Sequence, residues 1–259
     1  MKQKFVLFSL TFFLSCGTDF KKPYSDTPTS GIVKISSDET LQPLMDAEKN
    51  TFMGLYQYAE LNVKHTAEAN CFNDLINDSA KVIIASRKLN DKENAYFKSR
   101  NLIPVTTKIA LDAIAIIVNK NNPDSILSVQ QLTSILNGKN TNWNELFSSS
   151  KLGKISVVFD NNGSSNVRYL KDKLLDGKDF APSCFASASN PAVIKYVEEN
   201  SNAIGIIGVS WISDFESKES QAFLSKIKVL DITSSKNPLY PDDYFKPYQA
   251  YIALAQYPL

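Results

Sequence analysis

From Gly31 onward, short apolar runs alternate with segments whose apolar residues fall at helical spacing. Gly31 to Ile35 has β character, and Thr40 to Phe52 then sets Leu41, Leu44, Met45 and Phe52 on one helical face. Leu61-Asn62-Val63 predicts a strand, Cys71 to Asn77 a helix, and Lys81 to Ala85 a buried strand around Val82, Ile83 and Ile84. Asn90 to Asn101 reads as a helix with Asp91 and Glu93 in its first turn, where negative charge suits the helix dipole. Lys108 to Asn119 is strongly apolar, but with Lys108 and Asp112 inside it predicts a core strand and not a membrane span. Val129 to Leu136 predicts a helix closed by Asn137-Gly138, Ile155 to Phe159 a strand, and Val167 to Leu175 a helix ending at Asp176-Gly177. Asn190 to Glu199 predicts a helix with Asn190 as its cap and Pro191 at its first position. Ala203 to Val209 is a glycine-punctuated strand, and Ile227 to Ile232 is another. This alternation predicts an α/β fold.

Composition narrows the class of molecule. The chain has 259 residues, 43% of them hydrophobic and 21% charged, as expected of a folded protein. Lysine and arginine total 28 against 27 acidic residues, which argues against a nucleic-acid-binding surface. A receptor for a small anion needs no net positive charge, because backbone N–H groups and a few side chains can bind it locally. Lys2 and Lys4 precede an apolar stretch from Phe5 to Leu14, the pattern of a signal peptide, which runs into Leu14-Ser15-Cys16-Gly17. That junction is similar to a bacterial lipobox and makes Cys16 the expected lipidation site, with residues 1–15 removed and residues 16–30 a flexible polar tether. Cys71 and Cys184 have no metal-ligand spacing, and two unpaired thiols are the expected state.

Three polar turns follow predicted strands. Ser36 to Leu44 contains Asp38, Glu39, Thr40 and Leu41 at a helix start, where free N–H groups can hold an anion; plain capping by Ser37 or Asp38 accounts for the same residues. Ala85-Ser86-Arg87-Lys88-Leu89 ends the second turn, and Arg87 offers a guanidinium fork suited to an oxyanion, the alternative being an ion pair. Only Arg100 and Arg168 accompany it as arginines. Phe159 to Asn166 forms the third turn, where Gly163 allows N–H groups to converge and Ser164, Ser165 and Asn166 supply neutral donors beside Asp160. The glycines of Asn202 to Gly208 permit close backbone approach. The single histidine, His65, lies far in sequence from the serine turns; there is no Gly-x-Ser-x-Gly elbow, zinc spacing, Walker loop or Gly-x-Gly-x-x-Gly. The chain therefore reads as a binding protein, not an enzyme, and needs no cofactor.

Taken in order, these segments resemble the PstS-type phosphate-binding receptors of bacterial ABC importers. The resemblance rests on the Ala-Ser-Arg-x-Leu segment, on Asp112 to Asn119, on Asn190-Pro191-Ala192-Val193-Ile194 leading to Ala203-Ile204-Gly205, and above all on Leu127 to Leu132 running through Gly138 to Trp143. It implies a two-lobed type 2 periplasmic-binding-protein fold with a two-strand hinge and an oxyanion in the interlobe cleft. The implied division is lobe 1 over residues 31–111, lobe 2 over 112–212 and a return to lobe 1 over 213–259, with the family continuing past this chain's end into a strand and closing helix. An incomplete first lobe would expose apolar surface and limit solubility. The implied contacts are Thr40, Ser86, Arg87, Ser164, Ser165 and Asn166, with Asp38, Glu39, Leu41 and Asp160 beside them. Asp160 stands where the family has arginine, and Asp38-Glu39 where it has small hydroxyl residues. The implied partners are phosphate or a related oxyanion and an ABC permease, for a monomer held at the cell envelope through Cys16. A surface scaffold or sensor with a different or absent ligand is the alternative.

Overall fold

Residues 30–99 alternate strand and helix, and because each crossover returns the chain in the same direction, their strands pair in parallel. The protein is described by a computed structural model covering residues 26–240 and 243–259. The signal segment and Cys16 lie outside the described residues. β1 (Ser30–Asp38) runs through a 3-10 turn at Glu39–Leu41 into α1 (Gln42–Leu55), followed by β2 (Tyr58–Thr66), α2 (Glu68–Ile76), β3 (Val82–Ile84) and α3 (Asp91–Ser99). The sheet order is β2-β1-β3, with Ser30 opposite Tyr58 and Ile35 opposite both Val63 and Val82.

A second body follows. Its elements are β4 (Ile114–Asn119), β5 (Ile126–Ser128), α4 (Val129–Leu136), β6 (Ser156–Phe159), α5 (Ser165–Leu174), β7 (Cys184–Ala186), α6 (Asn190–Glu199), β8 (Ala203–Gly208), α7 (Lys218–Lys226), β9 (Ile227–Val229), β10 (Asp231–Thr233) and α8 (Gln249–Ala253). The five-stranded sheet has the order β7-β6-β8-β4-β9, with β4 antiparallel to both neighbours and β6 parallel to both of its own; β10 and β5 pair separately. Every residue of β4 and β8 is buried, which is why both read as continuous apolar runs without alternation. Gly205 makes this packing possible, since a Cβ there would lie 2.7 Å from the side chains of Ile117 and Val197. Trp143 is fully buried and donates from Nε1 to the Asn202 carbonyl at 2.9 Å, joining the α4 region to the turn before β8.

Local signals explain several boundaries. Ser128 and Gln131 close a reciprocal capping box on α4. Gly138 takes a positive φ just past that helix, and Asp176 and Gly177 do so after α5, as the two glycine signals predict. Cys71 and Cys184 are both free thiols.

Two expectations are corrected. The strand predicted from Lys108 to Asn119 begins only at Ile114; residues 102–112 carry no strand or helix, and Leu102, Ile103, Val105, Ile109 and Leu111 are exposed. Pro104 offers no N–H to a ladder, and β3, the end strand of its sheet, pairs with β1 alone among the described strands. Residues 213–259 do not return to the first body. β9 pairs with β4, Tyr257 donates its hydroxyl to the Ile114 carbonyl at 2.7 Å, and Phe245, Ile252 and Leu259 pack on the same core, because that is where apolar partners face them.

Candidate functional site: a buried polar seam between two bodies

The first and third polar turns meet face to face. Asp38 ends β1 and caps the 3-10 turn, with Thr40 N–H donating to its Oδ1 at 3.4 Å. Asp160 follows β6, and Ser164 caps α5 by accepting from Val167 N–H at 3.2 Å. Asp38, Thr40, Asp160, Ser164, Ser165 and Asn166 are all at most 5% exposed, so their polar atoms must find partners within the protein. They find them in one another. Thr40 Oγ1 donates to Asp160 Oδ2 at 3.0 Å, and Ser164 Oγ donates to Asp160 Oδ1 at 2.6 Å. Asn166 Nδ2 reaches Asp160 Oδ2 at 3.4 Å, and the N–H of Ser165, at the start of α5, points to Asp38 Oδ2 at 3.4 Å.

Asn190 completes this part of the seam. Its Nδ2 donates to Glu39 Oε2 at 2.7 Å and approaches Asp160 Oδ2 at 3.4 Å, its backbone N–H donates to Glu39 Oε1 at 3.2 Å, and its Oδ1 accepts from Gly208 N–H at 3.0 Å. The Asn190-Pro191 pattern predicts Asn190 as the cap of α6. Ser189 holds that role, accepting from Ala192 N–H, and the one-residue shift frees the Asn190 amide for the seam. Gly208 matters for closeness: a Cβ there would stand 2.6 Å from Thr40 Cγ2 and 2.9 Å from the Thr40 carbonyl oxygen. Ser210 Oγ donates to that same carbonyl at 2.9 Å. Leu41 contributes an apolar, buried side chain.

The second polar turn enters through Ser86 but not through Arg87. Ser86 donates to Glu68 Oε1 from its N–H at 2.8 Å and its hydroxyl at 2.9 Å. Arg87 instead forms a two-pronged ion pair with Glu93, both N···O distances 2.8 Å, and its guanidinium carbon lies 3.3 Å from the centre of the Phe72 ring. Glu93 is the capping-box residue of α3, so its carboxylate is fixed beside Arg87 before any ligand is considered. The arginine that does reach the seam is Arg168 on α5. Its Nε meets Glu68 Oε2 at 2.6 Å, and its Nη2 meets Ser86 Oγ at 2.6 Å. Arg168 was visible as one of three arginines, but only the helical turn separating it from Ser164 and Ser165 could have pointed to it. A backbone bond from Ala69 N–H to the Gly163 carbonyl, 3.1 Å, closes the same edge.

Electrostatically the seam is acidic, with Asp38, Glu39, Glu68 and Asp160 against Arg168. Burial pushes the Asp38 carboxyl up to about 7, and Glu68 and Asp160 add to the rise. Burial likewise raises Asp160 and Glu39, opposed by hydrogen bonds from Ser164 and Thr40 to the first and from Asn190 to the second. A carboxyl raised in the folded state binds its proton more tightly there than in the unfolded chain. Its stabilising effect is therefore full below the ordinary value of 3.8 and lost as pH rises toward about 7. The melting temperature is expected to be higher at pH 5 than at pH 8, by roughly 2–4 °C per kcal/mol of linked stability. Asp38→Asn should flatten that profile in calorimetry; an unchanged slope would remove Asp38 as its source. A cavity of about 870 Å³ flanks the seam, lined in part by Glu39, His65, Asp112, Ser210 and Trp211. No group of three or more His, Cys, Asp or Glu side chains among the described residues is placed to hold a metal ion, and no helix among them is long and apolar enough to cross a membrane.

The sequence model of the PBP superfamily domain matches residues 22–259. The chain belongs to this family. Among curated relatives of this PBP domain, the phosphate-binding protein PstS of Pseudomonas aeruginosa is 24% identical over 193 residues, 70% of this chain and 60% of the relative. The phosphate-binding protein PstS 2 of Streptococcus agalactiae is 29% identical over 49% of this chain and 42% of its own length. The chain thus spans about half the length of the curated relatives it matches. A phosphate ABC transporter substrate-binding protein from Clostridium perfringens, solved with bound phosphate, superposes with a TM-score of 0.70 at 23% identity, covering 88% of this chain and 83% of the other. The PBP domain thus has the type 2 periplasmic-binding-protein fold; at this identity the superposition speaks to architecture alone.

Proposed function

We propose that this protein is a solute-binding protein that holds phosphate or a related oxyanion between its two bodies and delivers it to an ABC importer. One observation carries the reading: turns more than a hundred residues apart in sequence, at Asp38–Thr40 and Asp160–Asn166, converge in a buried seam where hydroxyls, amides and the N-terminus of α5 point at carboxylate oxygens. Donors that hold a carboxylate also suit another oxyanion. Relatives named as phosphate-binding proteins support the choice of solute. The two bodies would be the lobes that close on it, joined near residues 110–113. Anchoring through a lipid on Cys16 places the protein at the cell envelope, facing its permease as a monomer. The role is capture and release without chemical change.

A second reading is favoured by Asp160 itself. A carboxylate among the donors repels a dianion, which suits a surface scaffold or sensor with a different ligand or none. Isothermal titration with phosphate, sulfate, arsenate and molybdate separates the two. Saturable heat with at least one of these anions is expected, and silence from all four would replace the receptor with the scaffold or sensor.

A further inference from the structure

The donors of the seam already have an anion: their own protein's. Asp160 Oδ1 accepts from Ser164, while Oδ2 faces Thr40, Asn166 and Asn190, so one carboxylate gathers side-chain donors from both bodies and from the starts of both α5 and α6. Asp38 does the reciprocal thing, projecting from the first body to the N–H of Ser165 at the head of α5. Removing the Asp160 carboxylate in thought leaves the hydroxyls of Thr40 and Ser164 and the amides of Asn166 and Asn190 facing one place, donors of the kind that hold an oxyanion.

We propose that Asp160, seconded by Asp38, is a tethered anion that draws the two bodies together and competes with any external oxyanion for the same donors. This rests on the oxyanion reading for its competitive part only; the closing part is independent of what the external ligand is. Asp160 is in this sense a specificity-determining residue. A solute enters by displacing it, and must bring enough favourable contact to offset moving a buried carboxylate out of its donors. The neighbouring charges set how hard that is. Asp38, Glu39 and Glu68 face the site from the first body and oppose an incoming anion, and among the described residues Arg168 from α5 is the cation that reaches the seam, neutralised in turn by Glu68.

Two measurements on Asp160→Ala and Asp160→Asn test this, each variant first checked for a cooperative melt. Small-angle scattering without added anion reads the separation of the bodies, and titration with inorganic phosphate reads the competition. Both variants are expected to scatter as a more open molecule than the wild type, and Asp160→Ala to bind phosphate at least ~10-fold more tightly. A folded Asp160→Ala with unchanged scattering overturns the proposal. So does phosphate binding that is present in the wild type and not tighter in Asp160→Ala: weaker binding makes Asp160 a direct ligand contact, equal binding removes it from the competition, and both leave the receptor reading intact. Opening of the variants with no heat from phosphate, sulfate, arsenate or molybdate in any protein supports the tether and overturns the oxyanion reading instead.

Discussion

Replacing Arg168 with alanine is expected to lower the unfolding free energy by about 2–4 kcal/mol, measured by urea denaturation. Glu68 is 2% exposed, and Arg168 neutralises it through bonds from Nε and Nη2 while also donating to Ser86. Without the guanidinium, Glu68 keeps the two donors of Ser86 but loses its counter-charge in a place that water does not reach freely. The double variant Glu68→Gln with Arg168→Ala should be less destabilised than the sum of the single changes, the signature of direct coupling. Additive losses would mean that the two side chains act separately.

Gly208→Ala carries the second large effect, and it is a functional one. Gly208 has φ −69°, a conformation any residue adopts, so backbone strain plays no part. The added methyl would collide with Thr40 of the opposite body at 2.6 Å. Relief comes most cheaply from parting the bodies, since Thr40 belongs to a turn and not to a packed core. The variant is expected to open in small-angle scattering and to lose oxyanion affinity by about 10-fold or more. Gly205→Ala is the control: its methyl meets Ile117 and Val197 within one body at 2.7 Å. There the cost should appear as about 1–3 kcal/mol of stability with the separation unchanged. Identical behaviour of the two variants would deny that Gly208 governs closure.

Much of the architecture was readable because the core strands and helices announce themselves. β4 and β8 are unbroken apolar runs buried throughout, and α4 carries both its capping box and its closing glycine within a dozen or so residues of sequence. What escaped notice was short, borrowed or, like the nine residues of α7, mostly polar. β5 and β7 are three residues each, and α8 is five, below the length at which periodicity can speak. Among the described strands none pairs with the apolar stretch before β4, which no local pattern records. At the site, the turns at Asp38–Thr40 and Asp160–Asn166 were legible from their polarity after strands, whereas side-chain direction was not. Arg87 was the stronger candidate by its position after a strand, yet Glu93 six residues on holds it away. Asn190 was hidden by an adjacent serine able to cap the same helix.

The contacts joining the two bodies around Asp160 are hydrogen bonds and charges, with few apolar side chains among them. Water can satisfy each of those groups nearly as well once they separate, so unzipping this junction exposes little oily surface and forfeits only the modest net worth of each bond. The hydrophobic cost of rearrangement therefore stays inside each body, where nothing needs to move. A junction built this way would part at modest cost while the packing inside each half stays intact.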